Sequence, residues 1–202
     1  MLRLDDLSGN SRIDTRTPAR ARAQLAEDCG GAQLAVSEPV ETHELELAGP
    51  AGPIPARRYT PPGLPAGSPG IVFFHGGGFV TGDLDSHDPL CRVLAIRGGV
   101  RVIAVDYRLA PEHAFPAAVD DCVAAFRAVV GRAAELGVDA RRLAVAGDSA
   151  GGNLSAVVAL RTRDDAVPPA LQALLYPCVD ATCSEPSHRT LADGYFLTAA
   201  GI

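Results

Sequence analysis

An α/β fold with a mostly parallel sheet and helices on both faces is what this chain predicts, and three observations carry it. Short continuous apolar runs at 71–74 and 143–146 are the kind that fill a strand buried on both faces, and further strands are read at 101–105 and 171–175. Stretches with helical spacing lie between them, so successive strands are expected to be joined by right-handed crossovers. Two of the runs lead straight into glycine-rich turns, His75-Gly76-Gly77-Gly78-Phe79 and Gly147-Asp148-Ser149-Ala150-Gly151.

The elements follow in order. Residues 1–40 are polar with scattered leucines (Leu4, Leu7, Leu25, Leu34) and are expected to be helical. Residues 41–47 alternate as a half-buried strand does, Gly49-Pro50-Ala51-Gly52-Pro53 makes a turn, and 54–59 return as the second arm of a hairpin. The prolines and glycines of 60–70 mark a surface loop. After strand 71–74, a helix is expected at 89–97, with Leu90, Val93 and Leu94 on one face and Gly98 as its stop. Strand 101–105 follows. Pro116 then opens a longer helix whose Val119, Val123, Phe126 and Val130 form a core stripe, closing near Gly137. Strand 143–146, a helix with Leu154, Val157, Val158 and Arg161 at helical spacing, and strand 171–175 complete a sheet of six. No internal repeat is present.

Composition narrows the function classes. With 202 residues, 47 % of them hydrophobic and 21 % charged, the chain is globular and long enough for one domain with a core. A net charge of −6 argues against nucleic acid, whose phosphates need a basic patch. The arginine-rich stretch 12–22 is interleaved with Asp14 and precedes Glu27 and Asp28, which suits a solvated helix face. No run reaches the length of about 18 apolar residues that a membrane span needs. The acidic start Met1-Leu2-Arg3-Leu4-Asp5-Asp6 lacks the apolar core of a signal peptide. Of the five cysteines, Cys91 and Cys122 fall on apolar helix faces, while Cys29, Cys178 and Cys183 have no zinc spacing. A reduced, cytoplasmic protein without a metal is the expectation. The stretch 82–88 holds several aspartates but lacks the terminal glutamate and the spacing of a calcium loop, so a loop capping the following helix is expected.

The two glycine-rich turns carry chemistry. G-x-S-x-G between a buried strand and a helix is a nucleophile elbow: a tight turn presents the serine hydroxyl, here that of Ser149. Attack on a carbonyl puts negative charge on its oxygen, and that charge needs preorganised donors about 3 Å away. Consecutive glycines let backbone N–H groups converge on one point, so Gly77 and Gly78, with the N–H of Ala150 after the nucleophile, are the expected oxyanion donors. His75 precedes Ser149 in the chain and is expected to position the glycine loop through hydrogen bonds. Asp148 is expected to point away from the nucleophile and anchor the turn. Asp106, Tyr107, Arg108 and Glu112 are expected to form a paired polar network that braces the loop.

On these motifs the chain resembles the bacterial hormone-sensitive-lipase-like esterases, an α/β-hydrolase family. The likeness continues through Gly82-Asp83-Leu84-Asp85-Ser86-His87-Asp88, Asp106-Tyr107-Arg108-Leu109-Ala110-Pro111-Glu112-His113-Ala114-Phe115-Pro116-Ala117-Ala118, Gly152-Asn153, Leu175-Tyr176-Pro177 and Gly194-Tyr195-Phe196-Leu197-Thr198. It implies a three-layer α/β-hydrolase fold and a serine carboxylesterase that works on short- to medium-chain acyl esters through an acyl-enzyme. It also implies a Ser-Asp-His triad, no cofactor, and a helical cap. By resemblance, 1–40 is an N-terminal cap segment, 41–182 a partial hydrolase core, and 183–202 the start of a second cap segment. The partners are a small ester and, as an open assembly, a second copy in a homodimer. The triad order Ser…Asp/Glu…His requires both partners after Ser149. The single later histidine, His188, follows no strand and is expected to be a solvated surface residue. Asp164, Asp165, Asp180, Glu185 and Asp193 likewise follow no buried strand in the right order. The expectation is therefore a C-terminally truncated hydrolase that lacks its last strands, with acid and base beyond residue 202 and its own activity open. The alternative is an inactive fragment or a non-catalytic ligand-binding relative.

Overall fold

The computed structural model describes residues 17–31 and 39–192. The expectations for Leu4, Leu7, Leu34, Asp193 and the motif at 194–198 lie outside the described residues. Helix α1 spans Pro18–Gly31. Strands β1 (Glu41–Gly49) and β2 (Gly52–Thr60) form the expected antiparallel hairpin, pairing from Glu41↔Thr60 to Gly49↔Gly52. Then come β3 (Ser68–Phe74), α2 (Asp88–Gly98), β4 (Arg101–Val105), α3 (Ala117–Gly131), α4 (Ala133–Leu136), β5 (Val138–Asp148), α5 (Ala150–Thr162), β6 (Leu171–Leu175) and α6 (Pro186–Thr190).

The six strands make one sheet in the order β1-β2-β4-β3-β5-β6, with β4, β3, β5 and β6 mutually parallel. Side chains alternate across it, and each face has its own core. Val72, Phe74, Ile103, Val105, Leu143 and Val145 pack with Phe126 and Val129 of α3 and Leu154 and Val158 of α5. Tyr59, Phe73, Val102, Ala104 and Ala146 pack on the other side against Cys91 and Ala95 of α2. The expected three layers are thus present. From β3 the chain turns to β4 on one side, then crosses to β5 on the other. Such a reversal opens a crevice beyond the carboxyl ends of the strands.

Several elements differ from the sequence expectation. β5 is 11 residues long, not the apolar 143–146: it pairs with β3 first at Ser68↔Val138 and, after a register shift across its polar 139–142, again from Gly70↔Leu143. The helix after Pro116 is interrupted: Arg132 leaves helical geometry (φ −108°, ψ 17°) between α3 and α4, and Gly137 closes α4 in the left-handed region. The buried face of α3 is broader than the expected stripe. It runs through Asp121, Cys122, Val123, Ala125, Phe126 and Val129, while Val119 and Val130 are half-buried. On α2 the deepest residues are the small Cys91 and Ala95, which allow close approach to the sheet, and Leu90 and Leu94 flank them. That helix stops one residue later than expected, at Gly99 with φ 59°. The loop before α2 does not cap it: His87 makes no side-chain cap bond, and Asp83 and Ser86 bond to one another instead. Strand β1 is mostly exposed, with only Leu47 fully buried, since helices cover little of that end of the sheet.

Candidate active site

The parallel register of β3 with β5 pairs Phe74 with Gly147, so His75 begins the glycine loop beside Asp148, one residue before Ser149. The two turns therefore leave the same edge of the sheet. They also touch. An added Cβ at Gly151 would sit 1.9 Å from Phe74 O, and one at Gly147 would sit 2.3 Å from the same oxygen. Ser149 holds φ 51° and ψ −115°, a conformation that costs a non-glycine residue about 1–3 kcal/mol. Its neighbours hold it there: Ser149 N donates to Leu175 O (2.9 Å), and Ser149 O accepts from Asn153 N (3.0 Å) and Cys178 N (3.3 Å). Asn153 Nδ2 adds a bond to Cys178 O at 2.7 Å.

A trans peptide is planar, so its C=O and N–H point in opposite directions and fixing one aims the other. Three successive carbonyls of the glycine loop are fixed. Tyr107 Oη donates to His75 O (2.7 Å), and His75 Nδ1 donates to Gly76 O (2.8 Å). Gly77 O accepts from Val80 N (3.1 Å), Thr81 N (2.9 Å) and Thr81 Oγ1 (3.0 Å). The paired amides are those of Gly76, Gly77 and Gly78. Gly76 N is used up on Asp148 Oδ1 at 2.9 Å. Among the described residues, no protein acceptor takes the N–H of Gly77, Gly78 or Ala150. Ala150 opens α5, where the first-turn amides have no intrahelical partner and the dipole favours negative charge. Gly77 has φ 120° and Gly78 φ 61°, which is why glycine recurs here.

The support beneath this edge is a buried polar stack. His75 lies face to face with Tyr107, ring centroids 4.3 Å apart, and 5.4 Å from the His87 ring. His75 is 2 % exposed, and burial pushes its pKa down to about 4, so the ring is neutral with its proton on Nδ1, the only form that can donate to Gly76 O. His87 Nε2 reaches Asp148 Oδ1 at 3.4 Å. Burial works to raise the Asp148 carboxyl, but the His87 contact and the Gly76 N–H prevail and hold it below its ordinary range. Burial also drives the Tyr107 hydroxyl upward, keeping it a neutral donor.

His75 and Tyr107 thus hydrogen-bond to carbonyls of the glycine loop, and Asp148, the expected anchor of the nucleophile turn, accepts from the loop's Gly76 N–H. Among the described residues, the other members of the polar network make no direct side-chain hydrogen bond to the glycine loop. Arg108 pairs with Asp121 on α3 at 2.8 Å, Glu112 pairs with Arg22 at 2.7 Å, and Asp106 is raised to about 6 by burial and by the charges of Asp83 and Asp85. Thr81, His87 and Arg22 carry roles that the motifs did not single out. For Thr81 the signal was its place four residues after Gly77. Arg22 also departs from the expected solvated helix face. His188 is half-buried on α6 with Nδ1 unpartnered, not solvated as expected. Asp165 is engaged by Arg127 and Asp180 by Thr182, and no group of three or more potential metal ligands occurs among the described residues.

A family profile of the alpha/beta hydrolase fold matches residues 71–202. The chain belongs to the α/β-hydrolase family. Among curated proteins, it is 49 % identical over 162 residues to an esterase of Mycobacterium tuberculosis, covering 79 % of this chain and 51 % of that protein. It is 44 % identical over 184 residues to an ethyl acetate hydrolase of Pseudomonas putida, covering 89 % of this chain and 58 % of that protein. A solved ester hydrolase from the metagenome of Lake Arreo superposes with a TM-score of 0.90 at 43 % identity, covering 97 % of this chain and 63 % of that one. The chain spans about half the length of the curated relatives it matches. Among the described residues, no helix is long and apolar enough to cross a membrane.

The neutral His75 makes the α/β-hydrolase core sensitive to acid. Its folded-state pKa lies below the unfolded value of 6.5, so the unfolded chain binds the proton more readily. The stability this group contributes is whole above pH 6.5 and is lost as pH falls through about 4, a difference of about 3 kcal/mol. Urea midpoints should therefore drop more steeply between pH 6.5 and 4 in the wild type than in His75→Asn. Equal slopes would show that His75 is not held neutral by burial.

Proposed function

We propose that this chain carries the nucleophile and the oxyanion-binding half of a serine carboxylesterase, with Ser149 attacking the acyl carbon and the amides of Gly77, Gly78 and Ala150 binding the developing oxyanion. One observation carries this reading. The carbonyls of Gly76, Gly77 and Ser149 are each hydrogen-bonded, which fixes the opposite amides of Gly77, Gly78 and Ala150, and these have no protein acceptor among the described residues, on two turns that leave the same edge of the sheet. Donors held in place before the reaction stabilise developing charge without reorganisation. The acyl-enzyme formed at Ser149 Oγ releases the alcohol, and water then releases the acid. No metal or cofactor enters this sequence of steps. The relative that hydrolyses ethyl acetate supports small acyl groups, so short- to medium-chain esters are the proposed substrates. The acid and base of the triad are proposed to come from outside the described residues. The proposed organisation is a hydrolase core at 41–182 flanked by cap segments at 1–40 and 183–202, in a cytoplasmic protein.

The test is turnover of p-nitrophenyl esters from acetate to decanoate by protein that also carries the triad acid and base, as wild type and as Gly77→Val. A Cβ at Gly77 would lie 2.2 Å from Thr81 O on a backbone at φ +120°, so valine must displace the peptide that aims Gly78 N. Turnover should fall by about 10²–10³, the usual cost of losing one oxyanion donor. Undiminished turnover would place the oxyanion site elsewhere. A wild type that neither hydrolyses these esters nor reacts with a fluorophosphonate would overturn the esterase reading itself.

A further inference from the structure

One side chain of α1, Arg22, hydrogen-bonds to the segments that flank the glycine loop. Arg22 Nε donates to Val80 O (2.8 Å), Nη2 donates to Ala110 O (3.0 Å), and Nη1 and Nη2 grip the Glu112 carboxylate at 2.9 and 2.7 Å. The two carbonyls belong to the segments that frame the turn. Val80 N donates to Gly77 O, and Ala110 N donates to Phe79 O at 2.8 Å. The other described side-chain hydrogen bonds and ion pairs between residues of α1, Gln24 with Asp28 and Arg20 with Glu27, stay within the helix. None of the described side chains of α1 is fully buried, although Pro18, Ala21, Leu25 and Cys29 are half-buried. The planar guanidinium suits this position, since its fixed fork can serve two carbonyls and a carboxylate at once, which an ammonium cannot do with the same geometry.

We propose that Arg22 is a positioning residue for the oxyanion loop: it ties α1 to Val80 and Ala110, and so holds the Gly77–Gly78 peptide, and the amide it aims, in place beside Ser149. The consequence for turnover rests on the esterase reading above, while the consequence for loop motion rests on the hydrogen bonds alone. The experiment compares wild type, Arg22→Ala, Arg22→Lys and Arg20→Ala by hydrogen–deuterium exchange and by steady-state kinetics on p-nitrophenyl acetate. Arg22→Ala should speed exchange across 77–83 by about tenfold and lower kcat by about ten- to a hundredfold, with KM little changed, because it is the oxyanion geometry that loosens. Arg22→Lys should recover part of both, and Arg20→Ala, on the same helix, should match the wild type. Exchange at 77–83 that is unaltered in Arg22→Ala overturns the proposal, as does equal loosening in Arg20→Ala. If Arg22→Ala does not fold, the graded exchange of Arg22→Lys decides in its place. If the wild type hydrolyses no ester, the esterase reading fails while the exchange measurement still decides the tie.

Discussion

Ser149→Ala should abolish covalent capture of a fluorophosphonate probe and lower ester turnover by roughly 10⁴–10⁶, the scale of nucleophile removal in serine hydrolases. The expectation comes from the competition for hydroxyls at this edge. Thr81 Oγ1 is committed to Gly77 O, Ser86 Oγ to Asp83 O, and Ser155 Oγ is buried against Gly151 O. Ser149 alone combines a strained turn, partial exposure and a neighbouring amide, that of Ala150, with no protein acceptor among the described residues. The remaining loop amides bind charge but form no bond, so only residual catalysis from the oxyanion site and substrate binding should survive. Peptide mass spectrometry of the probe-treated protein reads the outcome. Label at Thr81 or Ser86 in the alanine variant would assign the nucleophile wrongly here.

Gly151→Ala should destabilise the fold by roughly 4 kcal/mol or more, or leave no soluble protein, because the added methyl meets backbone that cannot yield. Its carbon would lie 1.9 Å from Phe74 O, 2.6 Å from Phe74 C and 2.7 Å from His75 O. Phe74 is the last residue of the central strand β3, paired with Val105 on one side and Gly147 on the other, so relief would cost two ladders. Urea unfolding measures the effect directly. A midpoint equal to the wild type's would mean that α5 can lift from β3 without loss, and that the elbow is looser than the hydrogen bonds around Ser149 require.

The alternation of buried runs and helical stretches was enough to read six strands and the parallel class, and the two glycine turns to single out Ser149, Gly77, Gly78 and Ala150 for the proposed chemistry. That information is local. A strand buried on both faces must be continuously apolar, and a backbone that brings N–H groups to one point must be glycine, whatever surrounds it. Long-range partners were another matter. Arg22 looked like one more solvated arginine in a polar helix, and its carbonyl partners lie 58 and 88 residues away along the chain. His87 read as part of a loop, yet it faces Asp148 because β3 and β5 are neighbours in space. Likewise the break at Arg132 and the long β5 were hidden, since β5 reaches β3 at Val138 and again from Leu143, across a polar stretch whose own pattern gave no strand signal. The sequence by itself determined which groups stand on the two glycine-rich turns. Only the tertiary structure decided how they are aimed, because the direction of a peptide N–H is set by what holds the carbonyl on its other side, and here that is Tyr107, His75 and Thr81 for the glycine loop, and Asn153 and Cys178 for Ser149.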